Sequence, residues 1–121
     1  MPSPNIRLLF ILVVSLLSGC LGPQLYHRQL SLLNKGMSPS ITIAKLGQEP
    51  RIVQLVDYQG RLFRFHRYLL NNGVLSDQYY LAFEHDRLVY WGFIYEFRRQ
   101  PDQQLNEALN LALIRYDKIK K

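Results

Sequence analysis

The chain opens with a short polar lead, Met1-Pro2-Ser3-Pro4-Asn5-Ile6-Arg7. It then runs Leu8-Leu9-Phe10-Ile11-Leu12-Val13-Val14-Ser15-Leu16-Leu17, with nine of ten positions apolar. As a helix this stretch spans roughly 15 Å, about half a bilayer core. That is the size of a signal-peptide h-region rather than a comfortable membrane span. Beyond it the pattern turns periodic. Tyr26, Leu30 and Leu33 recur at spacings of four and three, which predicts a short helix over 25–33, ended at Asn34-Lys35-Gly36. Ser38 is a good N-cap and Pro39 a good first helical residue, so a second short helix follows, with Ile43 and Leu46 inward and Gly47 closing it. Pro50 blocks continuation.

From Arg51 the period changes to two. Arg51–Tyr58, Arg61–Leu70, Gln78–Glu84 and Arg87–Arg98 read as four strands, separated by Gln59-Gly60, by a loop at Asn71-Asn72-Gly73 and by His85-Asp86. Short connections predict an antiparallel meander. In the last strand Val89, Trp91, Phe93, Tyr95 and Phe97 alternate onto one face, while Leu88, Tyr90 and Ile94 line the other. Both faces of the sheet are therefore apolar, and each needs a cover or is a binding surface, with the C-terminal helix lying on its own sheet or on a partner. The two N-terminal helices can supply one. A helix over 102–119, opened by Pro101 and Asp102 and striped with Leu105, Leu109, Ala112, Leu113 and Tyr116, can supply the other. The fold class expected is α+β: two short N-terminal helices packed on a three- to four-stranded antiparallel sheet, plus a C-terminal helix.

The chain has one cysteine, Cys20, directly after the apolar run. The small residues Ser18 and Gly19 precede it. Leu17-Ser18-Gly19-Cys20 resembles the bacterial lipobox, at the position where the lipoprotein signal peptidase reads it. The motif implies cleavage between Gly19 and Cys20, acylation of the Cys20 sulfur and amine, and attachment to a membrane through several acyl chains. Leu21 stands where an Asp would signal inner-membrane retention, which is the outer-membrane pattern. The expected organisation is a signal peptide over 1–19, a lipidated tether over 20–24, an α+β domain over 25–99 and a C-terminal amphipathic helix over 100–121. Localisation follows as outer membrane, lipid-anchored, facing the periplasm.

Charge adds a second partner. Residues 20–121 keep 14 of the 15 Lys and Arg and all nine Asp and Glu, a formal side-chain charge of 14 − 9 = +5. Export argues against nucleic acid; the anionic head groups beside a lipid anchor are the natural counterpart of the charge, and the alternative is that the excess only keeps a small domain soluble.

The stretch "LNKGMSPSITIAKLGQEP", with Gly36-Met37-Ser38 and Leu46-Gly47, resembles the SmpA/OmlA (BamE-like) outer-membrane lipoprotein family. So does "YYLAFEHDRLVYWG", a strand–turn–strand ending. The resemblance runs over roughly Leu30–Phe93 and implies two helices on an antiparallel sheet, with outer-membrane assembly proteins as partners. Thr42 stands where the family usually has Val, and the terminal helix goes beyond the family's minimal domain. The same helix-pair-on-sheet arrangement is similar to β-lactamase inhibitor domains. The expectation is a non-catalytic scaffold or accessory factor in outer-membrane β-barrel assembly or envelope integrity. The alternative is a periplasmic enzyme inhibitor or protein-binding module.

Catalytic chemistry is sparse. His27, His66 and His85 fall on different predicted elements without metal-ligand spacing. His85-Asp86 is an adjacent pair in a turn. No phosphate loop or nucleophile elbow occurs. The expectation is no enzyme, no cofactor and no metal. Arg64, His66 and Arg67 are candidates for a basic patch or a solvated strand face; Tyr90, Trp91 and Tyr95 are candidates for a recognition surface or a core.

Overall fold

The computed structural model describes residues 24–71 and 73–120. The apolar leader, Gly19 and Cys20 lie outside the described residues. The elements are α1 (His27–Leu30), α2 (Pro39–Leu46), β1 (Ile52–Tyr58), β2 (Arg61–Asn71), β3 (Ser76–Glu84), β4 (Arg87–Phe93), α3 (Ile94–Arg99) and α4 (Gln103–Lys120). The sheet is an antiparallel meander in the order β1-β2-β3-β4. Gln59-Gly60 and His85-Asp86 turn the β1–β2 and β3–β4 hairpins with positive φ at every position, the twist-matched two-residue turn.

Each face of the sheet has its own core. On one face Val56, Phe63, Phe65, Tyr80 and Ala82 meet Phe97 of α3 and Leu105, Ala108, Leu109 and Ala112 of α4. The C-terminal helix thus folds back over its own sheet. On the other face Tyr68, Leu70, Tyr79, Leu81, Phe83 and Leu88 meet Leu25, Leu33 and Leu46 from the N-terminal segment. Covering both faces removes most of the apolar sheet from water, which is the main stabilising contribution available to so small a domain.

The α2 segment forms for local reasons. The Ser38 hydroxyl accepts from the Ile41 N–H at 3.3 Å, Pro39 opens the helix, and Gly47 closes it in the left-handed region at φ +74°. Thr42 and Leu46 are the buried residues of α2, rather than the predicted pair Ile43 and Leu46. Thr42 tolerates full burial because its hydroxyl donates to the Ser38 carbonyl at 2.8 Å.

Four further expectations differ at element boundaries and turns. The first helix is one turn long, His27–Leu30, because Leu25 leaves it to pair with β2: its N–H donates to Leu69 O and its carbonyl accepts from Asn71 N–H. Gly36 has φ +91°, but it sits in a turn well past α1, where its N–H donates to Leu88 O at 2.8 Å. It therefore pins the turn to β4 rather than capping a helix. The long strand predicted over 87–98 stops at Phe93, and 94–99 is helical. Glu96 Oε1 accepts from the Phe93 N–H at 2.9 Å, satisfying an orphan donor at the helix start. A Cβ at Gly92 would lie only 3.1 Å from that glutamate side chain, so the glycine makes room for the cap. Finally, Pro101 is not the first residue of α4. Asp102 is its N-cap, with its carboxylate accepting from the Leu105 N–H at 3.2 Å.

The two sides of β4 also differ from simple alternation. Ala82 faces Tyr90 and Phe83 faces Leu88, so the register slips by one and Val89 is the extra residue. The bulge sends Leu88 to the same face as Trp91 and Phe93, and puts Val89 on the Tyr90 side.

Candidate interaction surfaces

The edge strand β1 leaves part of the sheet open. Gln54, Val56 and Tyr58 alternate toward α4, with the Gln54 amide donating to Ala112 O at 2.8 Å and the Tyr58 hydroxyl donating to Glu107. Val53 and Leu55 point the other way, onto the face that also carries Leu62 of β2. The N-terminal helices do not cover them: Leu55 is 56% and Leu62 50% exposed. A groove of about 320 Å³ runs between Leu55, Leu62, Arg64, Phe83, His85 and Asp86. Its walls are aliphatic and aromatic, and its rim carries a long Arg64–Asp86 ion pair at 3.8 Å.

His66 lies deeper on that face. It pairs with Val53 and Leu81 across the sheet, and its ring tilts against Phe83 at 4.7 Å. It is buried, and neither ring nitrogen has a hydrogen-bond partner among the described residues. Burial, reinforced by the Arg64 guanidinium, pushes its pKa down to about 4. The ring is therefore neutral near neutral pH.

The basic patch of Arg64, His66 and Arg67 does not form, and neither does a fully solvated face. Strand parity puts Arg64 and His66 on one side and Arg67 on the other, where its guanidinium stacks on Tyr116 at 4.5 Å. The aromatic candidates also separate. Tyr90 sits edge-on to Phe97 and donates to Glu96 O, and Trp91 packs against the helical core on the opposite face. Tyr95 remains half-exposed, stacked on Phe93 at 5.6 Å.

The sheet's two ends differ in chemistry. At the hairpin-turn end, Arg61 spends its guanidinium within the fold. Nε and Nη2 donate to the Glu84 carboxylate at 2.9 and 2.8 Å, Nη1 and Nη2 to Asp102 at 3.0 and 2.8 Å, and Nη1 to Gln104 Oε1 at 3.0 Å. All five N–H groups of the fork are satisfied, and the group also stacks over Phe63 at 4.8 Å. These bonds hold the Glu84 and Asp102 carboxyls below their ordinary range. They join β2, β3 and the N-cap of α4, so this charged cluster is a structural tie.

At the other end the loop between β2 and β3 projects Val74 and Leu75, 96% and 73% exposed. Sequence reasoning left these two residues unassigned; an apolar pair following Asn71-Asn72-Gly73 is the signal that could have found them. Close by, Ser76, Asp77, Gln78, Phe93, Tyr95 and Arg98 line an open cleft of about 540 Å³.

His27 and His85 sit on α1 and in the β3–β4 turn, away from His66. Among the described residues no group of three His, Cys, Asp or Glu side chains could hold a metal ion. No described helix is long and apolar enough to cross a membrane. Comparison of the chain with protein-family models, curated proteins and solved structures finds no match in any of the three.

Proposed function

We propose that this chain is a non-catalytic lipoprotein of the SmpA/OmlA (BamE-like) kind. It is held to the periplasmic leaflet of the outer membrane by acyl chains on Cys20, and it acts as a scaffold or accessory factor in outer-membrane protein assembly or envelope integrity. The observation that carries this reading is Leu17-Ser18-Gly19-Cys20 at the end of the apolar leader. The structural features that support a binding rather than a catalytic role are two. The densest charged cluster is consumed by the fold, as Arg61 with Glu84 and Asp102. The open surface on β1 and β2 is apolar, with Leu55 and Leu62 beside an edge strand, the chemistry of a protein contact.

The same open strip also suits the second reading, a periplasmic inhibitor or protein-binding module. One experiment separates them. A photo-crosslinking residue at Leu55, in the full chain in living cells, should capture subunits of the β-barrel assembly machinery. Capture of a soluble periplasmic enzyme would favour the inhibitor. Mass spectrometry of the same sample should find Cys20 acylated, and Cys20→Ser should move the protein to the soluble periplasmic fraction. An unmodified Cys20 overturns the anchored reading.

A further inference from the structure

We propose that the loop end of the sheet is a second membrane contact: Val74 and Leu75 insert into the lipid interface, and an Arg-backed tyrosine on either side rests on an anionic head-group layer. This rests on the reading that Cys20 is acylated.

The path of the chain is the first support. Leu25 is buried and hydrogen-bonded to both Leu69 and Asn71, and the Asn71 amide donates to the Gln24 side chain at 3.0 Å. The chain therefore enters the fold beside the last residues of β2, and the loop carrying Val74 leaves from that same place. Cys20 precedes Gln24 by four residues, so it lies within about 14 Å of it even when fully extended. An anchor that close keeps this end of the domain at the bilayer surface.

The side chains there are the second support. An isolated exposed apolar residue needs no explanation, but two adjacent ones at a loop tip, nearly bare, offer a compact insertion point. Tyr26 and Tyr95 are both about half-exposed at this end, and each has a guanidinium over its ring: Arg28 at 5.7 Å and Arg99 at 5.8 Å. Tyrosine with a neighbouring arginine is interfacial chemistry, the ring at head-group level and the cation on phosphate. Arg98 adds a third cation beside Ser76 and Gln78. The acidic groups of this end are Glu49, Asp77 and Glu96, with Glu96 occupied in capping α3, and Arg28, Arg51, Arg98 and Arg99 outnumber them. At the opposite end the carboxylates of Asp57, Glu84, Asp86, Asp102 and Glu107 outnumber the cations of Lys35, Arg61, Arg64 and Arg87. An anionic surface thus attracts the loop end and repels the turn end.

The test uses the full acylated protein with Leu75→Cys, whose new thiol is labelled with an environment-sensitive dye while Cys20 is occupied by lipid. It is reconstituted into vesicles of phosphatidylethanolamine and phosphatidylglycerol. The expected result is a blue-shifted dye, quenched several-fold more by nitroxide on the lipid chains than a dye at Leu55→Cys. Val74→Asp should abolish most of that quenching without changing the melting temperature, since Val74 touches little of the fold. Replacing phosphatidylglycerol by phosphatidylcholine should weaken it. A dye at Leu75 that stays aqueous on vesicles holding acylated protein overturns the inference and leaves the anchor standing. The same holds if it is shielded only in native envelopes, which points to a protein on the loop. Unacylated Cys20 by mass spectrometry overturns the anchored reading and this inference together.

Discussion

Lowering the pH should destabilise this domain through one residue, His66, before the carboxylates begin to titrate. An unfolded histidine has a pKa near 6.5, whereas the buried ring is pushed down to about 4. Between those values the unfolded chain takes up a proton that the folded chain refuses, so stability falls as pH falls. The contribution is fully present above pH 6.5, is lost progressively down to about pH 4 and is constant below it. Each tenfold difference in proton affinity is worth about 1.4 kcal/mol, so the full effect is about 3 kcal/mol, and about 2 kcal/mol is lost between pH 7 and pH 4.5. Replacing the ring by Leu removes the titrating group and also two ring nitrogens that have no partner. Removing an unsatisfied buried polar group is worth about 1 kcal/mol even at pH 7. His66→Leu should therefore be more stable than the parent by about 1 kcal/mol at pH 7 and by about 3 kcal/mol at pH 4.5. Urea unfolding of the two proteins, both carrying Cys20→Ser to keep them soluble, measures this at each pH. The carboxylates tied to Arg61 are common to both and cancel in the difference. Equal loss of stability in parent and variant between pH 7 and pH 4.5 would refute the burial argument.

Two further perturbations test the architecture. Arg61→Met removes all five donors that bind Glu84, Asp102 and Gln104 while keeping a stem over Phe63, and should cost about 1–2 kcal/mol because the cluster is partly solvent-screened; an unchanged denaturation midpoint would count against it as a tie. Truncation after Arg99 exposes Val56, Phe63, Phe65 and Tyr80 and discards Leu105 and Leu109, a loss of at least about 5 kcal/mol, so the shortened chain should melt far below the parent or not fold; retention of the parent melting temperature by circular dichroism would contradict the helix's role as a cover.

Much of this architecture is legible in the sequence where local chemistry decides it. Ser38-Pro39 and Gly47 bound α2, Gln59-Gly60 and His85-Asp86 turn two of the three hairpins, and the period-two runs give four strands in meander order. The failures occur where tertiary contacts decide. Ile94-Tyr95-Glu96-Phe97 is rich in β-formers, and it turns helical because Glu96 caps Phe93 over the space left by Gly92. Leu25 opens the helix predicted over 25–33, yet two backbone bonds to β2 extract it. Alternation through Arg64-Phe65-His66-Arg67 says which residues share a face but not how deep each face lies, so the burial of His66 had no local signature. The candidate surfaces were less legible still: Leu55, Leu62, Val74 and Leu75 read as ordinary strand or loop residues until the covering helices show which apolar positions they leave bare.

The pattern of what is bare follows from where the covers attach. Among the described residues the sheet has two faces and three short helical segments besides α4 to protect them. Helix α4 is fixed to the hairpin-turn end at its N-cap, Asp102, by Arg61, and lies along β1 and β2, so its own face is closed along the edge strand. The N-terminal cover starts at Leu25, fixed to the opposite end by β2, and reaches Leu33 and Leu46 over Tyr68 and Leu81. It stops short of Val53, Leu55 and Leu62 because Gly36 and Met37 are drawn instead toward Leu88, through the Gly36 N–H to Leu88 O and the Leu88 N–H to Met37 O, both at 2.8 Å. The turn at Gly36 thus trades coverage of β1 for coverage of β4. Shielding β4 protects one sheet edge with two backbone hydrogen bonds, and it leaves the apolar strip on β1 as the side of this face open to a partner.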